Sequence, residues 1–213
     1  MGLRGKGKLM LSLGAIFTLF FITLGPLKLL GPFSQQTRSL DPRAMRNIAW
    51  RAFLIGLVAV LVGGYVGSAL AVKWTISVPA ILIATGIIFF LVAIDMVLAP
   101  YAPTHAQPEP LPEQPMAATL KLTFPLLVTP YGIAALIAAV IATDDPARLS
   151  GIYLMLLAVM VLNLLSMLFI RQIMRGPVLL ALQVLGAVLG VLQVGLAVQI
   201  IIRALQDLHV LVA

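Results

Sequence analysis

Six stretches of this chain run without a single Asp, Glu, Lys or Arg for about the thickness of a bilayer. They are Leu9–Leu27, Ala52–Val72, Trp74–Ile94, Leu122–Thr143, Leu149–Ile170 and Gly176–Ile202, of 19, 21, 21, 22, 22 and 27 residues. A helix needs about 20 mostly apolar residues to cross the hydrocarbon core. In lipid only helices and closed barrels satisfy their own backbone groups. Barrel strands would alternate apolar and polar residues over about ten positions, whereas Leu57–Leu61 and Ile81–Ile83 do not alternate. The expected fold is all-α, a polytopic membrane protein of six transmembrane helices in one membrane domain over residues 1–213. The chain is 62% hydrophobic and 10% charged, against roughly 25% charged in soluble domains. Its charges are too few to cover a soluble globule.

The net charge of +7 is read as positive loops against anionic headgroups rather than as a nucleic-acid surface. The absence of cysteine excludes disulfides, thiolate metal sites and thiol nucleophiles. Arg4, Lys6 and Lys8 ahead of the first apolar run resemble the basic start of a signal peptide. The run is longer than a usual signal core and lacks a clear cleavage site, so it is expected to be retained as the first helix. Lys and Arg near the span ends number six on the amino-terminal side and seven on the other, which leaves the orientation by the positive-inside rule nearly balanced.

Asp41-Pro42 is a helix start, with Asp as cap and Pro at the first helical position. The second helix is therefore expected to begin outside the bilayer, with Trp50 at headgroup depth. Pro100, Pro103, Pro108, Pro110, Pro112 and Pro115 make residues 100–115 an extended linker. It separates three spans (residues 9–99) from three more (116–203). An odd number of spans in each half puts the halves in opposite orientations, the arrangement of inverted-repeat transporters.

Each half carries a helix breaker in its first span: Gly25-Pro26 in one, Pro125 and Thr129-Pro130 in the other. Paired interruptions point to a binding site between broken helices, although ordinary proline kinks are also tolerated in membranes. Gly25-Pro26 and Thr129-Pro130 each read as a cap followed by a first helical residue. Broken helices there would expose N–H groups and partial positive charge, which attract anions. Lys28 adds a full charge. A lysine at mid-bilayer costs about 2.5–3.5 kcal/mol on insertion scales, so Lys28 either serves a site or snorkels to a nearby span end. Asp95 is a possible charge partner, or lies at the interface. Thr129, Tyr131, Asn163 and Gln199 bring hydrogen-bonding groups into apolar surroundings, and Asn163 is the most site-like of them. Gly63-x-x-x-Gly67 and Gly186-x-x-x-Gly190 are read as packing motifs. His105 and His209 fall outside the spans and support neither a metal nor catalysis.

Several segments in order resemble the MarC family, six-helix bacterial membrane proteins described as candidate neutral amino-acid transporters. They are Arg46-Asn47-Ile48-Ala49-Trp50-Arg51-Ala52, Ile76-Ser77-Val78-Pro79-Ala80, Ala93-Ile94-Asp95-Met96 and Ala197-Val198-Gln199-Ile200-Ile201. The resemblance implies a multi-pass protein of the bacterial inner membrane with inverted three-helix repeats, moving small amino acids. The chain departs from the family pattern where Gly25-Pro26 stands for Asn-Pro and Lys28 for a small hydroxyl residue. Ile133-Ala134-Ala135 replaces a Gly-Pro-Gly-like turn, and Leu82 and Gln183 replace arginines, which suggests a rebuilt site.

The leading expectation is a secondary transporter of a small solute, a neutral amino acid or another carboxylate-bearing metabolite. Gly25, Pro26, Lys28, Thr129, Pro130, Tyr131 and Asn163 would bind it, with Asp95 as charge partner. No catalytic residue, metal or cofactor is expected, and the partners are the lipid bilayer and the solute. A non-transporting membrane scaffold or accessory protein is the alternative. An intramembrane enzyme ranks below it, because such chemistry wants clustered His, Cys, Asp or Glu.

Overall fold

The computed structural model describes residues 13–98, 112, 114–143, 145–174, 177–208 and 210. The basic residues Arg4, Lys6 and Lys8 and most of the proline linker lie outside them, as do the side chains of Asp95 and Gln183. The described chain is helical: α1 Leu13–Leu24, α2 Pro26–Thr37, α3 Pro42–Lys73, α4 Val78–Leu98, α5 Pro115–Leu122, α6 Pro130–Ile141, α7 Pro146–Leu168, α8 Ile170–Ile173 and α9 Pro177–Asp207.

Four helices are long and apolar enough to span: Ile16–Thr37, Pro42–Lys73, Pro146–Leu168 and Val184–Asp207. The bent pair Pro115–Leu127 and Pro130–Ile141, at 56°, makes a fifth, and Val78–Ile94 is a shorter apolar helix. By length and composition the described helices thus give four or five spans, where the charge-free runs lead one to expect six.

Local chemistry accounts for the helix starts. Asp41 accepts a hydrogen bond from the Arg43 amide (3.0 Å), and Asp145 accepts one from the Ala147 amide (3.1 Å). Each satisfies a first-turn donor ahead of a helix whose opening proline needs none. The 32 residues of α3 extend about 48 Å, well beyond the hydrocarbon core. Trp50 and Trp74, both exposed, sit roughly 36 Å apart along it. This spacing suits the two interfacial belts.

The Ile16–Thr37 span is central. Its most apolar window is 61% buried, against 22% for α3 and 24% for α9, which turn their surfaces outward. Glycines let α3 approach α6: a Cβ on Gly63 would meet Ile133, and one on Gly67 would meet Ile137. The second glycine pair differs from the sequence expectation. Gly190 lies against Val97, but a Cβ on Gly186 would meet nothing among the described residues.

Candidate functional site

Both lead helices break where the prolines stand. Between α1 and α2, Gly25 is extended (φ −79°, ψ 174°) and Pro26 opens the new helix. Proline has no N–H and collides with the carbonyl four residues back, so the ladder cannot run through it. A Cβ on Gly25 would fall 1.8 Å from the Phe21 carbonyl oxygen, which is why this corner holds glycine. The second break is longer than the sequence suggested. Thr123–Leu127 form a π-helical turn with Phe124 extended and a cis Phe124–Pro125 bond, and Val128 and Thr129 are extended before α6 begins.

A helix end leaves its last carbonyls without intrahelical partners, and those carbonyls must bond elsewhere when buried. Here donors from the second half of the chain meet them. Thr129 Oγ1 donates to the Thr23 carbonyl (3.1 Å) while accepting from the Gly132 amide (3.1 Å). Asn163 Nδ2 of α7 donates to the Leu24 carbonyl. Asn163 is fully buried, and its Oδ1 has no hydrogen-bond partner. Lys28 Nζ donates to Tyr131 Oη (3.1 Å) and lies 4.2 Å from that ring's centroid, a cation–π geometry.

The seven candidate residues therefore gather at one place. Gly25, Pro26, Thr129 and Asn163 are buried, Lys28 and Tyr131 are half-buried, and Pro130 is exposed. The breaks touch rather than face each other across open space: the position a Cβ on Gly132 would occupy is 2.2 Å from Leu24 Cδ2. Asp95 lies in α4, with its side chain outside the described residues.

Chemically the place is rich in donors. The first turn of α2 has no side-chain cap, unlike those of α3, α6 and α7. The Lys28 ammonium and the Tyr131 hydroxyl stand close by, and Asn163 Oδ1 is a buried acceptor. Such a set suits a small group carrying both acceptors and a donor. Among the described residues no three His, Cys, Asp or Glu side chains gather to hold a metal.

Sequence reading missed two acceptors at this place and one buried amide elsewhere, between α9 and α4. The carbonyls of Thr23 and Leu24 carry no side-chain signal. Gln193 is buried and its Nε2 donates to the Phe89 carbonyl at 3.4 Å, whereas Gln199 is exposed. The spacing of Gly190, Gln193, Ala197, Ile200 and Ala204 follows one helical face, and that pattern was the available sign that Gln193 points inward.

No curated protein and no solved structure matches the chain. The family model described as "MarC family integral membrane protein" matches residues 10–209. With nearly the whole length covered, the chain belongs to the MarC family of integral membrane proteins.

Proposed function

We propose that this protein is a secondary transporter, not an enzyme, moving a small carboxylate-bearing solute such as a neutral amino acid across the bacterial inner membrane. The observation that carries this reading is the meeting of two broken lead helices, tied by Thr129 to Thr23, with Asn163 of α7 bonded to Leu24 at the same place. Broken helices whose ends converge between two halves are how many transporters hold substrate near the bilayer midplane. The solute carboxylate would lie at the uncapped first turn of α2 beside Lys28 and Tyr131, with its donor group toward Asn163 Oδ1. Asp95 is the proposed charge partner.

The reading includes six spans in two inverted repeats, residues 9–99 and 116–203, joined by the linker 100–115. A constant register supports it. Pro130 follows Pro26 by 104 residues (130 − 26), and the capped pair Asp145-Pro146 follows Asp41-Pro42 by the same interval (146 − 42). The contacts of α4 with α9 are reciprocal in that register. Gly86 lies against Ile201 and Gly190 against Val97, while Gln193 bonds its own counterpart, Phe89. Likewise α1 packs on α7 as α5 packs on α3, and α2 packs on α7 as α6 packs on α3.

Flux into proteoliposomes tests the proposal, with radiolabelled glycine, alanine, serine and lactate as probes. Uptake of at least one above empty vesicles, lost in Asn163→Ala and Lys28→Ala, is the expected result. The close packing of Leu24 on Gly132 favours a second reading, a non-transporting scaffold, which predicts no uptake of any probe by the folded protein.

A further inference from the structure

A second polar place lies at the Trp50 end of the bundle; its lining shares no residue with the candidate transport site, and it is independent of the transport reading. A cavity of about 360 Å³ opens there between α3 and the start of α5. One face of α3 forms a wall with Ala44, Asn47, Ile48 and Arg51, spaced as one side of a helix. Pro112 and Pro115 stand opposite, and Leu40 closes one edge. That edge is held from behind, because Arg171 Nη2 donates to the Leu40 carbonyl (2.6 Å).

Three observations say what fits. The first is charge: the segments that meet here carry Arg38, Arg43, Arg46, Arg51 and Arg171, against Asp41 and, flanking Pro112 in the sequence, Glu109 and Glu113, so the balance favours an anion. The second is depth: Arg51 follows Trp50, which is 48% exposed, and a tryptophan in such a position marks the headgroup layer. The third is polarity along the helix. Asn47, Arg51, Leu54 and Val58 run down one stripe of α3, polar for the first two residues and apolar for the next two. Leu54 and Val58 are 55% and 60% exposed, toward the hydrocarbon. A soluble anion has no use for that apolar continuation, whereas a lipid does.

The geometry points to a seat for one anionic phospholipid: its phosphodiester accepts hydrogen bonds from Arg51 and Asn47 within the cavity, and an acyl chain lies along Leu54 and Val58. Arginine suits the task because its planar fork matches two phosphate oxygens. Basic pockets at the membrane surface that recognise headgroups are a known form of lipid recognition.

Native mass spectrometry of the intact protein from micelles holding equal phosphatidylglycerol and phosphatidylcholine tests this. Wild type should retain phosphatidylglycerol in preference to phosphatidylcholine. Arg51→Gln should lower that retention about fivefold, the effect of one basic contact at the surface, and Arg51→Lys should keep part of it. Asn47→Ala, which leaves every charge in place, is the second variant and should lower the same adducts. Arg46→Gln removes an equal charge outside the cavity and should change retention less than about twofold. Equal losses in Arg46→Gln and Arg51→Gln would reduce the effect to the general field of the arginines and overturn the seat. So would equal retention of the two lipids by wild type. Displacement of phosphatidylglycerol by millimolar glycerol 3-phosphate would assign the cavity to a soluble phosphate ester and overturn the lipid.

Discussion

The contact between the two breaks can be tested by its sterics alone. A Cβ on Gly132 would lie 2.2 Å from Leu24 Cδ2, 2.5 Å from its Cγ and 2.8 Å from Thr129 Oγ1. The Leu24 side chain is 3% exposed, so it has little room to withdraw. Overpacking of this kind costs about 1–3 kcal/mol. Alanine also improves on glycine in a helix by up to about 1 kcal/mol, so Gly132→Ala should destabilise by about 0–3 kcal/mol net. Leu24→Ala should cost about 2–5 kcal/mol through the cavity it leaves. In the double variant the new methyl no longer meets Leu24, and the helix gain and the remaining approach to Thr129 Oγ1 cancel from the cycle. The coupling should therefore be about 1–3 kcal/mol in favour of the pair. Reversible unfolding in mixed detergent–SDS micelles, followed by circular dichroism, gives the four free energies. Additivity within about 0.5 kcal/mol would mean that Leu24 and Gly132 do not touch, and the joined breaks would go with them.

Three further outcomes follow from the same contacts. Gly25→Ala puts a methyl against the Phe21 carbonyl, a backbone atom that cannot rotate away. It should destabilise by more than about 2 kcal/mol in the same unfolding assay, against the usual gain for Gly→Ala. Asp41→Ala and Asp145→Ala each remove a cap that holds a first-turn amide, and each should cost about 1 kcal/mol. A loss confined to one of them would contradict the matched capping. Tyr131→Phe removes the hydroxyl that Lys28 donates to but keeps the ring beneath the ammonium. It should retain more uptake in the proteoliposome assay than Tyr131→Leu, and equal activities would take the ring out of the site.

The helix starts and breaks were legible because proline acts on the backbone within one turn. Asp41-Pro42 forms a capped start, and Gly25-Pro26 and Thr129-Pro130 form breaks, whatever packs around them; Asp145-Pro146, which the structure adds, obeys the same rule. The irregular turn at Thr123–Leu127 was only partly announced, since Pro125 signals a disruption without setting its extent. Asn163 stood out because it is an amide in the middle of an apolar run, but its partner, the Leu24 carbonyl, is a group every residue carries. Gln193 and Gln199 differ little in sequence surroundings, yet one is buried and the other exposed, because only the approach of α4 chooses which side of α9 is inside. The same approach separates Gly190, which meets Val97, from Gly186, which meets none of the described residues.

The order of residues alone thus determined a helical membrane protein, interrupted twice near its lead prolines, since transfer to lipid and proline geometry depend on local chemistry. Tertiary structure decided that the two interruptions meet, that one half supplies the donors for the other's stranded carbonyls, and that arginine, asparagine and two leading prolines enclose a cavity at one end. Those pairings join residues more than 60 positions apart, and backbone carbonyls and cavity walls acquire a partner only when the helices pack.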